Sequence, residues 1–143
     1  MVPKAKHTGT VLEQTVIPIL KNNDYEIESQ IFIGEKIGGG KHKVDIVAKT
    51  PTGEEILISL KWQQTSGTTQ EKIPYEVIKL IHAINNNKGR FNQAYIVLGG
   101  EGMDQKLKEF YLSGGLSPYI VGSHLVKLIS FEKFIALANK KSL

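Results

Sequence analysis

The sequence lacks cysteine and long hydrophobic runs, and each absence excludes a class of protein. None of the 143 residues is cysteine, so the chain forms no disulfide and has no thiol chemistry. This absence is typical of reducing compartments, and we expect a cytoplasmic location. No apolar stretch is long enough to span a bilayer, and no secretory leader pattern is present, so we expect no membrane partner.

The length suits one small domain, and the net charge permits a polyanionic partner. Lys and Arg outnumber Asp and Glu by 18 to 14, which gives a formal net charge of +4. This balance permits nucleic-acid binding but does not require it. No repeat, low-complexity tract or linker divides the sequence, so we expect a single domain over residues 1–143.

Hydrophobic periodicity predicts alternating helices and strands. A helix is predicted over residues 8–22, where Pro18 favours a kink or a later start. The further predicted elements are strands at 25–33, 43–49 and 55–62, a loop at 63–70, a helix at 73–85, a strand at 94–98, a helix at 103–112, extended segments at 119–121 and 125–129, and a helix at 131–140. The pattern indicates an α/β fold with a mixed central sheet flanked by helices.

A carboxylate and a lysine interrupt two apolar strands. Strand alternation places Ser59 and Lys61 on one face of the third strand, and Asp45 on a face of the second strand that it shares with Lys43 and Val47. If a hairpin joins the two strands, Asp45 and Lys61 lie close together on one sheet surface. Such a pair is either a structural ion pair or part of a catalytic site.

These residues give the chain a resemblance to the PD-(D/E)XK nuclease superfamily. The predicted αβββαβ order, over about residues 8–98, matches the restriction-endonuclease-like core of that family. In the family, a carboxylate on the second strand and a Glu-x-Lys on the third hold Mg²⁺ against the scissile phosphate, and the lysine activates or positions water. The resemblance implies that Asp45 is a metal ligand and that Lys61 is the catalytic lysine. Ser59 departs from the pattern.

Ser59 stands where the family usually has Glu or Asp, and a hydroxyl cannot supply the anionic oxygen that Mg²⁺ favours. One subgroup of restriction enzymes carries Ser-x-Lys and takes a glutamate from the next helix, which implies Glu76, 15 residues after Lys61, as the second metal ligand. Glu71 is the rival, although Thr68-x-x-Glu71 also has capping-box spacing. Ser59 is equally compatible with a natural or engineered loss of catalysis.

Further residues complete the predicted site. Glu13 lies in a Gly-x-x-x-Glu pattern that resembles resolvase-like members of the family, and we expect it to reach the metal shell. Gln63, if the strand continues past Trp62, shares the active face and contacts substrate or a metal-bound water; the alternative is a glutamine of the loop. Lysines beside the triple glycine at residues 38–40, and hydroxyls in the polar loop, suit phosphate contacts. The predicted DNA-binding residues are Lys41, His42, Lys43, Ser66 and Thr68.

The function that follows from the resemblance is Mg²⁺-dependent endonucleolytic cleavage of DNA by a restriction-like enzyme, with Mn²⁺ as a substitute. A homodimer or higher homo-oligomer is expected, because one small active site cuts only one strand. The alternatives are a structure-selective nuclease similar to Holliday-junction resolvases, and an inactive DNA-binding protein with this fold. Nothing in the sequence points to acyl transfer, and its four histidines are too scattered for a zinc site.

Overall fold

The fold begins with a helix, three strands, a helix and a strand, in the order that the periodicity predicts. The computed structural model describes residues 4–65 and 67–143, with the side chains described from residue 12 onwards. Its helices and strands are α1 (Lys4–Asn22), β1 (Glu26–Glu35), β2 (Lys41–Lys49), β3 (Glu55–Trp62), α2 (Ile73–Asn86), β4 (Phe91–Gly99), α3 (Gln105–Leu112), β5 (Val126–Ser130) and α4 (Phe131–Asn139). No helix within the described residues is long and apolar enough to cross a membrane.

The five strands form one mixed sheet in the order β1-β2-β3-β4-β5. The pairs β1–β2 and β2–β3 are antiparallel, whereas β3–β4 and β4–β5 are parallel. Helices α2 and α3 cover one face, where Leu57 and Leu80 join a buried apolar cluster. Helices α1 and α4 cover the other face around Ile58 and Phe134. Because both faces are covered, β3 and β4 are almost continuously apolar, and the α/β prediction is confirmed.

Three local expectations differ from the structure. Helix α1 begins at Lys4 and continues through Pro18, because Leu12, Val16 and Leu20 pack this stripe against the sheet. Strand β4 begins at Phe91, three residues before the predicted start. The extended segment predicted at residues 119–121 is wrong, since a 3₁₀ turn with a proline in its first turn occupies Ser117–Tyr119.

The side-chain alternation of β1 and β2 reverses where Gln30 lies opposite Asp45. Ile46 packs toward α1, but Val44, two residues earlier on the same strand, packs under α2 with its partner Ile31. Gln30 has a φ of 52°, in the left-handed region, which changes the direction of successive side chains. The expectation that Asp45 shares a regular face with its second neighbours is therefore wrong. Asp45 lies at the point where the faces exchange.

Candidate active site

Asp45 occupies an opening between β2 and β3. Their regular pairing runs from the hairpin turn only as far as Ile46 and Ile58. Beyond that pair, Asp45 Oδ2 accepts a hydrogen bond from the backbone N–H of Leu60 at 2.7 Å, so a side chain replaces a bond of the ladder. The predicted hairpin is confirmed, and it anchors the half-buried Asp45 carboxylate beside the segment of β3 that carries Lys61.

Glu13 on α1 and Asp45 share one hydrogen-bond donor. The Nε2 atom of Gln30 donates to Glu13 Oε1 and lies 3.4 Å from Asp45 Oδ1. Burial raises the pKa of Glu13, and the charge of Asp45 raises it further, against the opposing effects of the Gln30 hydrogen bond and the Lys43 charge. The Asp45 charge raises the pKa of Glu13 because the two carboxylates repel each other. A cation bound between them would relieve this repulsion.

Glu76 lies in the first turn of α2, with only 7% of its surface exposed, and faces two lysines. Its Oε1 atom is 3.7 Å from Lys61 Nζ and 3.0 Å from Lys79 Nζ. Burial alone would raise the pKa of Glu76, but the positive charges of Lys61 and Lys79 outweigh it, and the pKa is lowered. This carboxylate is therefore held in its ionised form inside the fold.

Ser59 lies on the same side of β3 as Lys61. Its Oγ atom is buried and makes no well-formed hydrogen bond with any described residue, although its hydroxyl contributes to the lowered pKa of Glu76. A buried hydroxyl without a full partner is costly, and such groups often mark a position that a water or ligand completes. Ser59 thus places a buried hydroxyl beside the Glu76 carboxylate and Lys61.

The predicted catalytic residues fall into two neighbouring groups. Glu13 and Asp45 meet at Gln30, whereas Ser59 and Lys61 meet Glu76 beside α2. Among the residues with described side chains, no three of His, Asp and Glu form a ready-made metal-binding group. The donor chemistry of the first group still fits a divalent cation, because it offers two half-buried carboxylates around a single donor. The assignment of Glu76 as a metal ligand stays a prediction.

Gln63 is hydrogen-bonded to the backbone of neighbouring loops and does not take the position expected of a substrate contact. Its Nε2 atom donates to the carbonyl of Gly102 at 3.0 Å, and its Oε1 atom accepts from the backbone N–H of Gln70 at 3.1 Å. Because the backbone already occupies both ends of its amide, Gln63 fixes the loop that follows β3. No local pattern predicts these bonds, since the partners lie up to 39 residues away in the chain.

The loop before α2 does not form the capping box. Thr68 makes no side-chain capping hydrogen bond, and the N–H of Glu71 bonds instead to the Thr68 carbonyl. That structural explanation for Glu71 is therefore wrong. Thr68 is exposed and remains a candidate DNA contact, while the predicted contact at Ser66 falls outside the described residues.

His42 is not the surface DNA contact that its position beside the glycine turn predicted. It is 3% exposed, and neither ring nitrogen has a hydrogen-bond partner among the described residues. Burial lowers its pKa, and the nearby Lys79 lowers it further against the opposing charge of Glu76. The neutral imidazole packs on the α2 side of β2. Its neighbours Lys41 and Lys43 are exposed and keep their predicted role.

A family model and two solved structures are similar to this chain. The model of the PD-(D/E)XK nuclease superfamily domain matches residues 4–142. The crystal structure of AF1548, a protein of unknown function, is similar with a TM-score of 0.51 and 16% identity, over 85% of this chain and 59% of that chain. The present chain thus spans less than two thirds of AF1548, and the likeness concerns the fold alone.

The small subunit of a heterodimeric restriction endonuclease gives a TM-score of 0.46 at 16% identity, over 91% of this chain and 67% of that chain. No curated protein is significantly similar in sequence to this chain. The match to the superfamily model extends over almost the whole sequence and includes both Asp45 and Lys61. The chain therefore belongs to the PD-(D/E)XK nuclease superfamily.

Proposed function

We propose that this chain is a Mg²⁺-dependent DNA endonuclease that hydrolyses phosphodiester bonds, with Mn²⁺ able to replace Mg²⁺. One observation carries the proposal: Leu60 anchors the Asp45 carboxylate at the opening between β2 and β3, one residue from Lys61 and beside Glu13. Nucleases of this superfamily typically use divalent metals. Oxygen ligands from carboxylates are the ones that Mg²⁺ prefers.

Each residue has a distinct part in this proposal. Asp45 and Glu13 would hold the cation, and Glu76 is the predicted further ligand. When bound, a divalent cation stabilises the negative charge that develops on the phosphate during cleavage. Lys61 would bind the scissile phosphate or orient the attacking water. The ionised Glu76, 3.7 Å from the Lys61 ammonium, limits the directions that this side chain can take.

Plasmid cleavage in the presence of Mg²⁺ tests the proposal. We expect Asp45→Asn and Lys61→Met each to reduce the cleavage rate by at least about 100-fold, the lower range for loss of a positioned catalytic group. Lys49→Met is the matched control, because Lys49 is an exposed lysine at the opposite end of β2 from Lys41. Cleavage by Asp45→Asn at the wild-type rate, with the fold intact by circular dichroism, would refute the proposal.

The role of Glu76 needs two measurements, because it contacts Lys61 and is also a predicted metal ligand. We expect Glu76→Ala to lose cleavage and Glu71→Ala to retain it, and the reverse result would refute the choice of Glu76. Calorimetric titration of Glu76→Gln with Mg²⁺ then separates the two roles. Weaker Mg²⁺ binding assigns a ligand, whereas unchanged binding with slow cleavage assigns a residue that positions Lys61.

A DNA-binding protein without catalytic activity is the second candidate, and Ser59 is the observation that favours it. The buried hydroxyl at this position supplies no negative charge to a cation. Under this hypothesis, DNA binding persists while calorimetry detects no Mg²⁺ or Mn²⁺ binding that depends on Asp45. Substitution Ser59→Glu would then be expected to create or strengthen metal binding, which the same titration measures.

A further inference from the structure

An exposed phenylalanine on the hairpin formed by β1 and β2 has two lysine ammonium groups over its ring, and these would move aside to phosphates when a base stacks there. Phe32 is 55% exposed, and its ring centroid is 5.3 Å from Lys41 Nζ and 6.0 Å from Lys43 Nζ. Phe32 and Lys43 are cross-strand partners, and Lys41 lies two residues from Lys43 on the same strand. The three side chains therefore share one face of the hairpin.

An irregularity in the strand pairing opens this face. Between the pairs Phe32–Lys43 and Glu35–Lys41, β1 has one residue more than β2, and Gly34 in the extra segment has a φ of 118°. A cleft of about 420 Å³ results, lined by Phe32, Gly34, Glu35, Gly40 and Lys41. The two glycines expose backbone rather than side chains, so a flat group can approach the aromatic ring.

The face continues toward the carboxylates of the candidate active site. Lys43 is near enough to Glu13 for its charge to lower the pKa of that carboxyl, and Gln30 joins Glu13 to Asp45. Phe32 and its two lysines thus lie on a surface that leads to Asp45. A nucleic-acid strand bound along it would carry one nucleotide at the ring and another near the carboxylates.

We propose that Phe32 stacks on an unpaired base of the DNA substrate while Lys41 and Lys43 bind the adjacent phosphates. An aromatic ring can stack on any base, but only where that base is not enclosed in a continuous duplex. Lysines beside the ring supply the phosphate attraction that such a site needs. This inference rests on the proposed function and narrows it: the preferred substrate is single-stranded or branched DNA rather than uninterrupted duplex.

Glu35 adds a negative charge to the cleft. It is the acidic residue among those lining the cleft, and it is the cross-strand partner of Lys41. A carboxylate here repels a phosphate and weakens the attraction of the two lysines. Substitution Glu35→Gln is therefore expected to strengthen DNA binding, whereas a structural role of this hairpin alone would leave binding unchanged or weaken it.

Fluorescence anisotropy tests the proposal without divalent metal, so that no cleavage occurs. The probes are a labelled single strand, the same sequence as a duplex, and a four-way junction with unpaired bases at its centre. We expect the wild type to prefer the first and third probes. Phe32→Ala should weaken single-strand binding about tenfold, the effect typical of one stacked base, and change duplex binding little. Phe32→Trp should retain the preference.

Matched controls separate stacking from general surface effects. Tyr119→Ala removes an aromatic side chain that is 78% exposed outside the hairpin, and it should leave binding unchanged. Lys41→Gln and Lys43→Gln should each weaken binding and reduce the slope of log affinity against log salt by about one, as for a lost phosphate contact. Lys49→Gln should leave that slope unaltered. Single-strand binding by Phe32→Ala equal to that of the wild type would overturn the proposal.

The results of the two sets of experiments are independent. If Asp45→Asn abolishes cleavage and Phe32→Ala binds single strands normally, this inference fails while the proposed function stands. If neither the wild type nor any variant cleaves DNA, but the single-strand preference depends on Phe32, the proposed function fails, and Phe32 is then a base-stacking residue of a DNA-binding protein and not of a nuclease. An RNA strand of the same sequence is a further probe, and clearly tighter binding to it would overturn DNA as the ligand.

Discussion

At the scale of single residues, Glu76 combines burial with a negative charge that neighbouring lysines stabilise. Such a group is costly unless cations compensate it, and here Lys61 and Lys79 do so. The same contacts give the site its shape, because they hold Lys61 against α2. Both the stability of the fold and the position of Lys61 in the proposed site therefore depend on this carboxylate.

The lowered pKa of Glu76 predicts a stability change with a definite sign. Because its pKa is lower in the folded chain than the ordinary value of 4.5, ionised Glu76 stabilises the fold above that pH, and the contribution is lost as the pH falls through the folded pKa. Glu76→Gln should therefore lower Tm at neutral pH, and its difference from the wild type should narrow in acid. Calorimetry from neutral pH into the acid range measures this difference in Tm.

An exposed first-turn glutamate provides the control for this prediction. Glu132→Gln on α4 should change Tm little at any pH, since that side chain is exposed. A difference in Tm between Glu76→Gln and the wild type that stays constant from neutral pH to acid would contradict the assignment. It would show that the stability is lost through packing and not through ionisation.

At the scale of elements, the sequence predicts the helices and strands that bury a regular apolar face. Apolar stripes place α2 and β3 correctly because each element buries a regular face. Asp45 and Lys61 were identified because a charge within a buried strand needs an explanation. The reversal at Asp45 was missed, since it depends on the left-handed backbone of Gln30 on another strand. Long-range contacts such as those of Gln63 leave no local signal.

The segment after β4 packs closely against the loop that follows β3, and its glycines make this contact possible. A Cβ at Gly100 would lie 2.2 Å from the carbonyl oxygen of Gln63, whereas one at Gly114 would meet nothing within 4 Å. Both glycines have positive φ angles, 92° and 83°. An alanine at Gly114 therefore tests backbone strain alone, whereas an alanine at Gly100 tests backbone strain together with steric overlap.

We expect Gly114→Ala to cost about 1 kcal/mol of unfolding free energy through strain alone. Gly100→Ala should cost at least about 3 kcal/mol, because the backbone of Gln63 must also move. Urea denaturation measures both values. Equal costs for the two variants would indicate that the loop after β3 yields easily, and that Gln63 does not hold it in a fixed position.

At the scale of the whole molecule, one chain carries one candidate site, and each strand of a duplex needs its own attack. We therefore propose assembly into a homodimer or a higher homo-oligomer when both strands of a duplex or branched substrate are cut. The chain's net charge of +4 opposes association only weakly.

Titrating the protein against supercoiled plasmid tests this assembly. At concentrations where sedimentation finds monomers, nicked circles should accumulate, and linear DNA should dominate once oligomers form. Linear product formed directly by a sedimenting monomer would contradict the proposal. A constant ratio of linear to nicked product across the monomer–oligomer transition would do so as well.

The hydrogen bond from Leu60 to Asp45 also provides an intrinsic spectroscopic probe. The amide proton of Leu60 points at the carboxylate oxygen 2.7 Å from its nitrogen, so its resonance responds to whatever that oxygen binds. Cation coordination draws electron density from the acceptor and shifts the Leu60 cross-peak in a two-dimensional NMR spectrum. Occupancy at Asp45 is thereby readable from the backbone of isotope-labelled protein, before any phosphodiester bond is broken.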